Sequence, residues 1–355
     1  MALSTLPASQ VLVTVGVDTH ADSHVGVALD QLGRLLGTRT IPTTPAGYAA
    51  LLAWATTLGT VDRIGVEGTG SYGAGLTRWL RAHGQLVIEV DRPDRAARRR
   101  HGKADDLDAH AAARAVQAGT ATGQPKAGDG RVEMIRSLRL ARRSAVKART
   151  QAAMRLKALL VTAPDVLRAQ LRRLPPAELV TTAARLRPAA TPATPTDAAT
   201  LALRSVARRW LLLTEEITAL DTQLDRLVAM AAPALVAVKG VGTQTAAALL
   251  VAAGDNPERL RSEAAFAHLC GVAPIPASSG KTTRHRLNRG GNREANWALY
   301  LIAVGRMAWH GPTHAYVERR TKEGKSKAEI IRCLKRHIAR ELYGILVSQP
   351  PLDEP

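Results

Sequence analysis

Asp18, Glu67, Asp105 and Asp108 are four carboxylates whose types and settings suit a hard divalent cation. Asp18 ends the apolar run Val11-Leu-Val-Thr-Val-Gly-Val-Asp18, which reads as a buried strand carrying an acid to its carboxyl end. Ile64-Gly-Val-Glu67 repeats that pattern. Asp105 and Asp108 open the segment Asp105-Asp-Leu-Asp108-Ala-His-Ala-Ala-Ala-Arg, where a helix would set both on one face and turn Asp106 to solvent. Acids converging from two strands and a helix repel one another unless cations lie between them. Oxygen donors select Mg²⁺ above all, with Mn²⁺ as a substitute, and such a centre works on phosphodiesters. Unrelated surface acids at strand ends are the alternative. His20 and His24 invite a zinc site, but two lone histidines beside acids more often tune or hydrogen-bond than ligate.

A second group lies far downstream, in Gly271-Val-Ala-Pro-Ile-Pro-Ala-Ser278-Ser279-Gly280-Lys-Thr-Thr-Arg-His-Arg-Leu-Asn-Arg-Gly-Gly-Asn292. Lys281, Arg284, His285, Arg286 and Arg289 surround Ser279 in sequence and could hold a phosphate beside its hydroxyl. No base adjoins the serine, so a solvated basic loop remains open. Upstream, Leu235 to Leu250 reads as a helix, a tight Gly240-Val-Gly242 turn and a second helix, resembling a helix-hairpin-helix element. Lys239, Gly240, Gly242 and Thr243 would then meet a phosphate through close backbone approach and the unpaired N–H groups of a helix start. An ordinary αα-hairpin is the alternative. Arg98, Arg99, Arg100, His101 and Lys103 precede the acidic helix and suit guiding a phosphate strand; a solvated surface explains them equally well.

The balance of charge supports a polyanionic partner. Among 355 residues, 49 Lys and Arg face 30 Asp and Glu, a net charge of +19. Nucleic acid is the partner such a field expects. Aromatics are only 3%, with a single Phe, which argues against a single-strand binder built on stacking platforms. No window approaches the roughly 18 apolar residues of a membrane helix. The expectation is a cytoplasmic, nucleoid-associated protein without a membrane partner. Cys270 and Cys333 are too few and too far apart for a zinc knuckle or disulfide framework, and both read as small core residues.

The elements that must position these groups follow from periodicity. Residues 11 to 118 read as strands 11–18, 23–30 and 34–41, helix 45–58, strand 63–67, helix 74–83, strand 86–91 and helix 105–118. Three strands followed by αβαβα resemble an RNase H-like (RuvC-like) α/β domain, one mixed sheet with helices against it. A basic helix follows at 131–160, with a stripe of Ile135, Leu138, Ala141, Ala145, Ala148, Ala152, Leu156 and Leu159. A second helix at 200–230 carries Val206, Trp210, Leu213, Ile217, Leu220, Leu224 and Leu227 at coiled-coil spacing. The two could pair antiparallel, pair between subunits, or both. The Pro, Ala and Thr-rich stretch 161–198 reads as a variable or partly ordered connector. The expected domains are 1–125 for the acids, 126–230 for the coiled-coil helices, and a mainly α-helical 231–355 for the serine and the hairpin-like element.

Gly16-Val-Asp18-Thr-His, Val66-Glu67-Gly-Thr-Gly-Ser-Tyr72, Lys103-Ala-Asp105-Asp-Leu-Asp108-Ala109, Lys239-Gly-Val-Gly-Thr-Gln-Thr-Ala246 and Ser279-Gly280 before Gly291-Asn292 together resemble the insertion-sequence one-ten family of DEDD transposases, which includes the pilin-gene DNA invertases. The match runs in order through most of the chain. It implies a RuvC-like domain, a coiled coil and a C-terminal transposase domain, in a recombinase that moves a circular intermediate. It also implies Asp18, Glu67, Asp105 and Asp108 as metal ligands and Ser279 as the nucleophile, with Ser278 leaving a one-residue ambiguity. Ala104 departs from the Thr or Ser usual before the third acid, at a position that is not a ligand. The implied partners are donor and target DNA, a bridge RNA encoded by the element, and further copies of the chain in a dimer or tetramer. A RuvC-like hydrolytic endonuclease acting on branched DNA and a non-catalytic nucleic-acid binder are the rival expectations.

Overall fold

The computed structural model describes residues 11–90, 105–282 and 285–348. The chain forms two compact units, one of Met1–Gly130 with Ala253–Phe266, the other of Arg131–Ala252 with Ala267–Pro355.

In the first unit the elements are β1 (Leu12–Thr19), β2 (Ser23–Leu29), β3 (Leu35–Pro42), α1 (Pro45–Leu58), β4 (Thr60–Glu67), α2 (Ala74–Ala82), β5 (Val87–Val90) and α3 (Asp105–Gln117). Every element read from periodicity is present, and only β4 differs by as much as three residues at an end. The sheet runs β3-β2-β1-β4-β5, antiparallel among the first three strands and parallel from β1 to β4 and β4 to β5. Gly33, at φ 77°, makes the turn between β2 and β3. Thr44 accepts from the Gly47 N–H, and Pro45 takes the first helical position, so α1 starts where its cap dictates.

Helices cover the sheet on both faces, which is why β1 is an almost unbroken apolar run. On one face Val13, Val15, Val17, Ile64 and Val66 pack with Tyr48, Leu51 and Ala55 of α1 and with Leu76 and Leu80 of α2. On the other, Ala109 and Ala113 of α3 pack against Val25, Val27 and Leu29, while Ala112 and Val116 pack with Val90. Two glycines let α3 lie this close. A Cβ on Gly16 would stand 2.1 Å from the Ala109 carbonyl oxygen, and one on Gly65 would stand 2.6 Å from Val116 Cγ2. The two glycines pair directly across β1 and β4.

Residues 253–266, expected with the C-terminal domain, belong to this unit. Asn256 explains their place: its Oδ1 accepts from the Ala127 N–H at 2.8 Å and its Nδ2 donates to the Pro125 carbonyl at 3.1 Å. Arg259 donates to the Gln124 carbonyl and to Glu89, and Arg261 to the Thr122 carbonyl.

The second unit is helical apart from one small hairpin. Its elements are α4 (Arg131–Val161), α5 (Asp165–Leu171), α6 (Pro176–Ala184), α7 (Pro195–Ala231), α8 (Pro233–Val236), α9 (Thr243–Ala253), the end of α10 (Glu263–Leu269), whose first four residues belong to the first unit, β6 (Ile275–Pro276), β7 (His285–Arg286), α11 (Arg293–Trp309), α12 (Gly311–Lys322) and α13 (Lys327–Val347). α4 and α7 pair within the chain and run antiparallel. Arg142 bonds Asp221 near one end, and Leu156 and Leu160 pack with Leu203 and Ala207 near the other. The stretch read as a partly ordered connector is instead α5 and α6, whose Leu167, Leu171, Leu179, Val180 and Ala183 complete that same core. Its prolines start helices: Pro176 and Pro195 sit in the first turns of α6 and α7. The stripe of α4 also differs from expectation, because Ala141 is exposed while Arg139 is buried and bonded to Glu294. Among the described residues no helix is long and apolar enough to cross a membrane.

Candidate metal centre and serine turn

The β1–β4 register runs Gly16 to Gly65 and Val17 to Val66, so Asp18 and Glu67 fall side by side at the carboxyl ends of their strands. Strand alternation puts both on the face of Gly16 and Gly65, the face that α3 covers. Asp108 immediately precedes Ala109, the residue pressed onto Gly16. Asp18, Glu67 and Asp108 are 6%, 8% and 7% exposed. Asp105 is half-exposed one turn earlier on the same stripe, and Asp106 faces solvent. The hydroxyl of Thr19 donates to the Glu67 carbonyl at 2.9 Å, tying the two strand ends together.

Electrostatics record the crowding. Burial pushes the Asp18 carboxyl above the usual carboxylate range; Asp108 and Asp105 add to the rise, while His20 and the Thr19 N–H oppose it. His20 was undervalued in the sequence. Its Nε2 lies 3.1 Å from Asp18 Oδ2 and 3.2 Å from Asp105 Oδ1, and Asp18, His20 and Asp105 each offer a ligand atom within 4.8 Å of the others. The signal was its spacing of two from Asp18, just past the end of β1, where the strand's alternation still favours the same face. His24 is on the other face. It pairs with Thr19 across β1 and β2, is fully buried, and stacks on Tyr48 with ring centroids 5.9 Å apart. A zinc site combining the two histidines is therefore excluded. Asp18 and Asp105 around His20, with Asp108 adding charge and Glu67 beside Asp18 in register, give a mainly oxygen donor set that fits a hard divalent cation. Arg98, Arg99, Arg100, His101 and Lys103 lie outside the described residues.

Ser279 belongs to the second unit and opens a two-residue reverse turn. Its N–H donates to the Thr282 carbonyl at 3.2 Å, and the Thr282 N–H donates back at 3.1 Å. Gly280, at φ 55°, takes the first central position, where this turn needs a left-handed residue. The turn caps the hairpin of β6 and β7, so the expected loop is in fact held in register. Ser278, Ser279, Lys281, Arg286 and Arg289 are exposed, and Arg284 lies outside the described residues. Asn292 starts α11 by accepting from the Glu294 and Ala295 N–H groups.

The Gly240-Val-Gly242 turn is less like a helix-hairpin-helix than its sequence suggests, because the helix before it, α8, is a single turn. Gly240 needs its φ of 86° and packs on Arg306, whose Nε donates to the Lys239 carbonyl at 2.9 Å and whose two terminal nitrogens grip Glu341. The Gly242 N–H is already used, accepted by Thr245 Oγ1 at 3.0 Å. Lys239 is exposed, whereas Thr243, the first residue of α9, is half-buried. Cys270 is fully buried, its thiol pushed up to about 12, while Cys333 is half-buried rather than a core residue.

The acids thus lie at the carboxyl ends of central strands against α3, in a chain of net charge +19, an arrangement suited to a protein that acts on nucleic acid. Residues 15–163 match a DEDD transposase model of the IS110 type, and residues 232–318 match the transposase family IS116/IS110/IS902. The chain belongs to that insertion-sequence transposase family. It is 32% identical over 135 residues to the insertion element IS110 protein of Streptomyces coelicolor, covering 37% of this chain and 33% of that one. It is 29% identical over 156 residues to the pilin gene-inverting protein of Moraxella bovis, covering 41% and 47%. The insertion element IS900 protein of Mycobacterium paratuberculosis is 26% identical over 144 residues, covering 38% and 36%. The aligned regions thus span between a third and a half of these relatives' lengths.

Proposed function

We propose that this chain is the site-specific DNA recombinase of an insertion sequence, its first unit an RNase H-like (RuvC-like) domain. The meeting of Asp18, His20 and Asp105, with Glu67 beside Asp18 in the β1–β4 register and buried Asp108 on the same helix as Asp105, carries this reading. Asp18, Glu67, Asp105 and Asp108 would hold Mg²⁺ or Mn²⁺, which when bound polarises a phosphodiester and neutralises charge on its oxygens. The Ser279 hydroxyl attacks phosphorus: the Oγ–P bond forms as a bridging P–O bond breaks, the serine proton passes to a base, and the departing oxygen becomes a hydroxyl. The bond energy is kept in the phosphoserine, so a hydroxyl from another strand end reverses the step and seals a new junction. Exposed Lys281, Arg286 and Arg289 would stabilise the charge that develops. Donor and target DNA, a bridge RNA encoded by the element, and further copies of the chain are the partners in this scheme. The pilin gene-inverting relative supports strand exchange over simple cutting.

The test incubates the full chain with element-end DNA and the adjoining non-coding RNA in Mg²⁺ or Mn²⁺, then looks for protein–DNA adducts that survive denaturation. Wild type should form them and Ser279→Ala should not, while Asp18→Ala should lose both cleavage and adduct. Cleavage with no adduct would mean a hydrolytic endonuclease instead. Adducts undiminished in Ser279→Ala, or cleavage undiminished in Asp18→Ala, would end the proposal.

A further inference from the structure

A cavity of about 630 Å³ opens at the foot of the serine hairpin, walled by residues 271–274, 285–289 and one side of α13. Arg286, Arg289, Arg332, Lys335, Arg336 and His337 line it, and among the described residues no Asp or Glu does. The rest of the wall is apolar and includes Val272, Pro274 and Leu287, the last 57% exposed. Two amides at the wall are committed elsewhere. Asn288 donates to the His268 carbonyl and accepts from the Gly290 N–H. Asn296 donates to the Cys270 and Gly271 carbonyls and accepts from Lys335 Nζ at 2.9 Å.

Like charges crowd here. Lys335 is pushed below the usual lysine range by burial and then by Arg332, and His337 is lowered by burial and then by Arg340, Arg336 and Arg320. An anion beside Arg289 and Arg332 would offset this crowding of like charge. The volume is far more than a phosphate fills and lies in the ordinary range of small-molecule sites. An apolar wall beside a cationic one matches a nucleotide, which has a flat base at one end and a phosphate at the other.

We propose that this cavity receives one nucleotide of the nucleic-acid strand, its base against Val272, Pro274 and Leu287 and its phosphate on Arg289 and Arg332. The site would anchor the strand at the base of the Ser279 turn, because β7 is both one strand of that hairpin and part of the cavity wall. α13 thereby becomes a nucleic-acid contact that the sequence did not suggest. This inference rests on the recombinase reading, which supplies the strand.

The experiment measures binding of the full chain to a short oligothymidylate and to an abasic strand of equal length, over a range of salt. Wild type should prefer the base-bearing strand roughly fivefold, the effect of burying about 40 Å² of base surface against an apolar wall. Ala273→Trp, which fills the cavity, should bring the two strands within about twofold of each other, and Leu287→Ala at the exposed wall should move in the same direction. Arg332→Glu should weaken both strands about tenfold and lower the slope of log affinity against log salt by about one. Oligouridylate run in parallel tells whether RNA or DNA fills the site, and thermal melts confirm that each variant folds. Base preference unchanged in both Ala273→Trp and Leu287→Ala, or affinity and salt slope unchanged in Arg332→Glu, would overturn the nucleotide site alone. If wild type bound no nucleic acid, the recombinase reading would fall with it.

Discussion

Gly16→Ala is the sharpest test of how the acids are brought together. The new Cβ would meet the Ala109 carbonyl oxygen at 2.1 Å and the Ala113 nitrogen at 2.2 Å, both backbone atoms of α3. Ordinary contact begins at 3.4 Å, so the helix must retreat by about 1 Å, and no flexible side chain can absorb the strain. Overpacking of this kind costs about 1–3 kcal/mol, which for a unit of this size lowers the melting temperature by about 3–10 °C. Asp108 moves with the helix while Asp18 stays on β1. Metal affinity should therefore fall about 10–100-fold, as it does when the supports of a metal site are disturbed. Calorimetric melts without metal and Mn²⁺ titration of the same samples measure both effects. Gly70→Ala is the control, since a Cβ there meets nothing within 4 Å. A Gly16→Ala protein that melted like wild type and bound Mn²⁺ as tightly would refute the claim that bare backbone at Gly16 sets the distance between helix and acids.

Two further outcomes follow from buried titrating groups. Asp18 has a raised folded pKa, so its contribution is fully present below the unfolded value of 3.8 and is lost as pH rises through the folded value. In chelator at pH 7, Asp18→Asn should then melt higher than wild type, with the gap closing toward pH 4. Adding Mg²⁺ at a hundredfold excess over its Kd should stabilise wild type by about 2.7 kcal/mol and leave Asp18→Asn unmoved; a wild-type melt insensitive to Mg²⁺ and Mn²⁺ contradicts the metal centre. His24 has a folded pKa lowered chiefly by burial, so the unfolded chain takes up its proton near 6.5 and the folded one only at lower pH. Stability is lost as pH falls through that window, and His24→Phe, which keeps the stack on Tyr48, should flatten the melting profile between pH 7 and 5. An unchanged profile would assign the acid sensitivity to other groups.

Much of the first unit was legible because its signals are local. The alternation in β1, the Thr44 cap and Pro45 of α1, and the three-residue spacing of Asp105 and Asp108 each fit within one element, so a short window suffices to read them. Even the pairing of Gly16 with Gly65 was present as the repeated Gly-Val-acid ending of two strands. Its consequence, a helix laid on bare backbone, required the fold. So did the pairing of α4 and α7 within the chain, which the bond from Arg142 to Asp221 and the α5–α6 filling make visible. Composition misled where prolines read as a loose connector but act as helix starts.

The sequence alone determined which residues are acids, which runs of the first unit are strands and helices, and which glycines permit a turn, because these depend on neighbours a few positions apart. Tertiary structure alone decided that 253–266 joins the first unit, that His20 stands between Asp18 and Asp105, and that α13 lines a basic cavity beside the serine hairpin. Those facts depend on contacts between segments far apart in the chain, and no local period records which distant surface a side chain will meet.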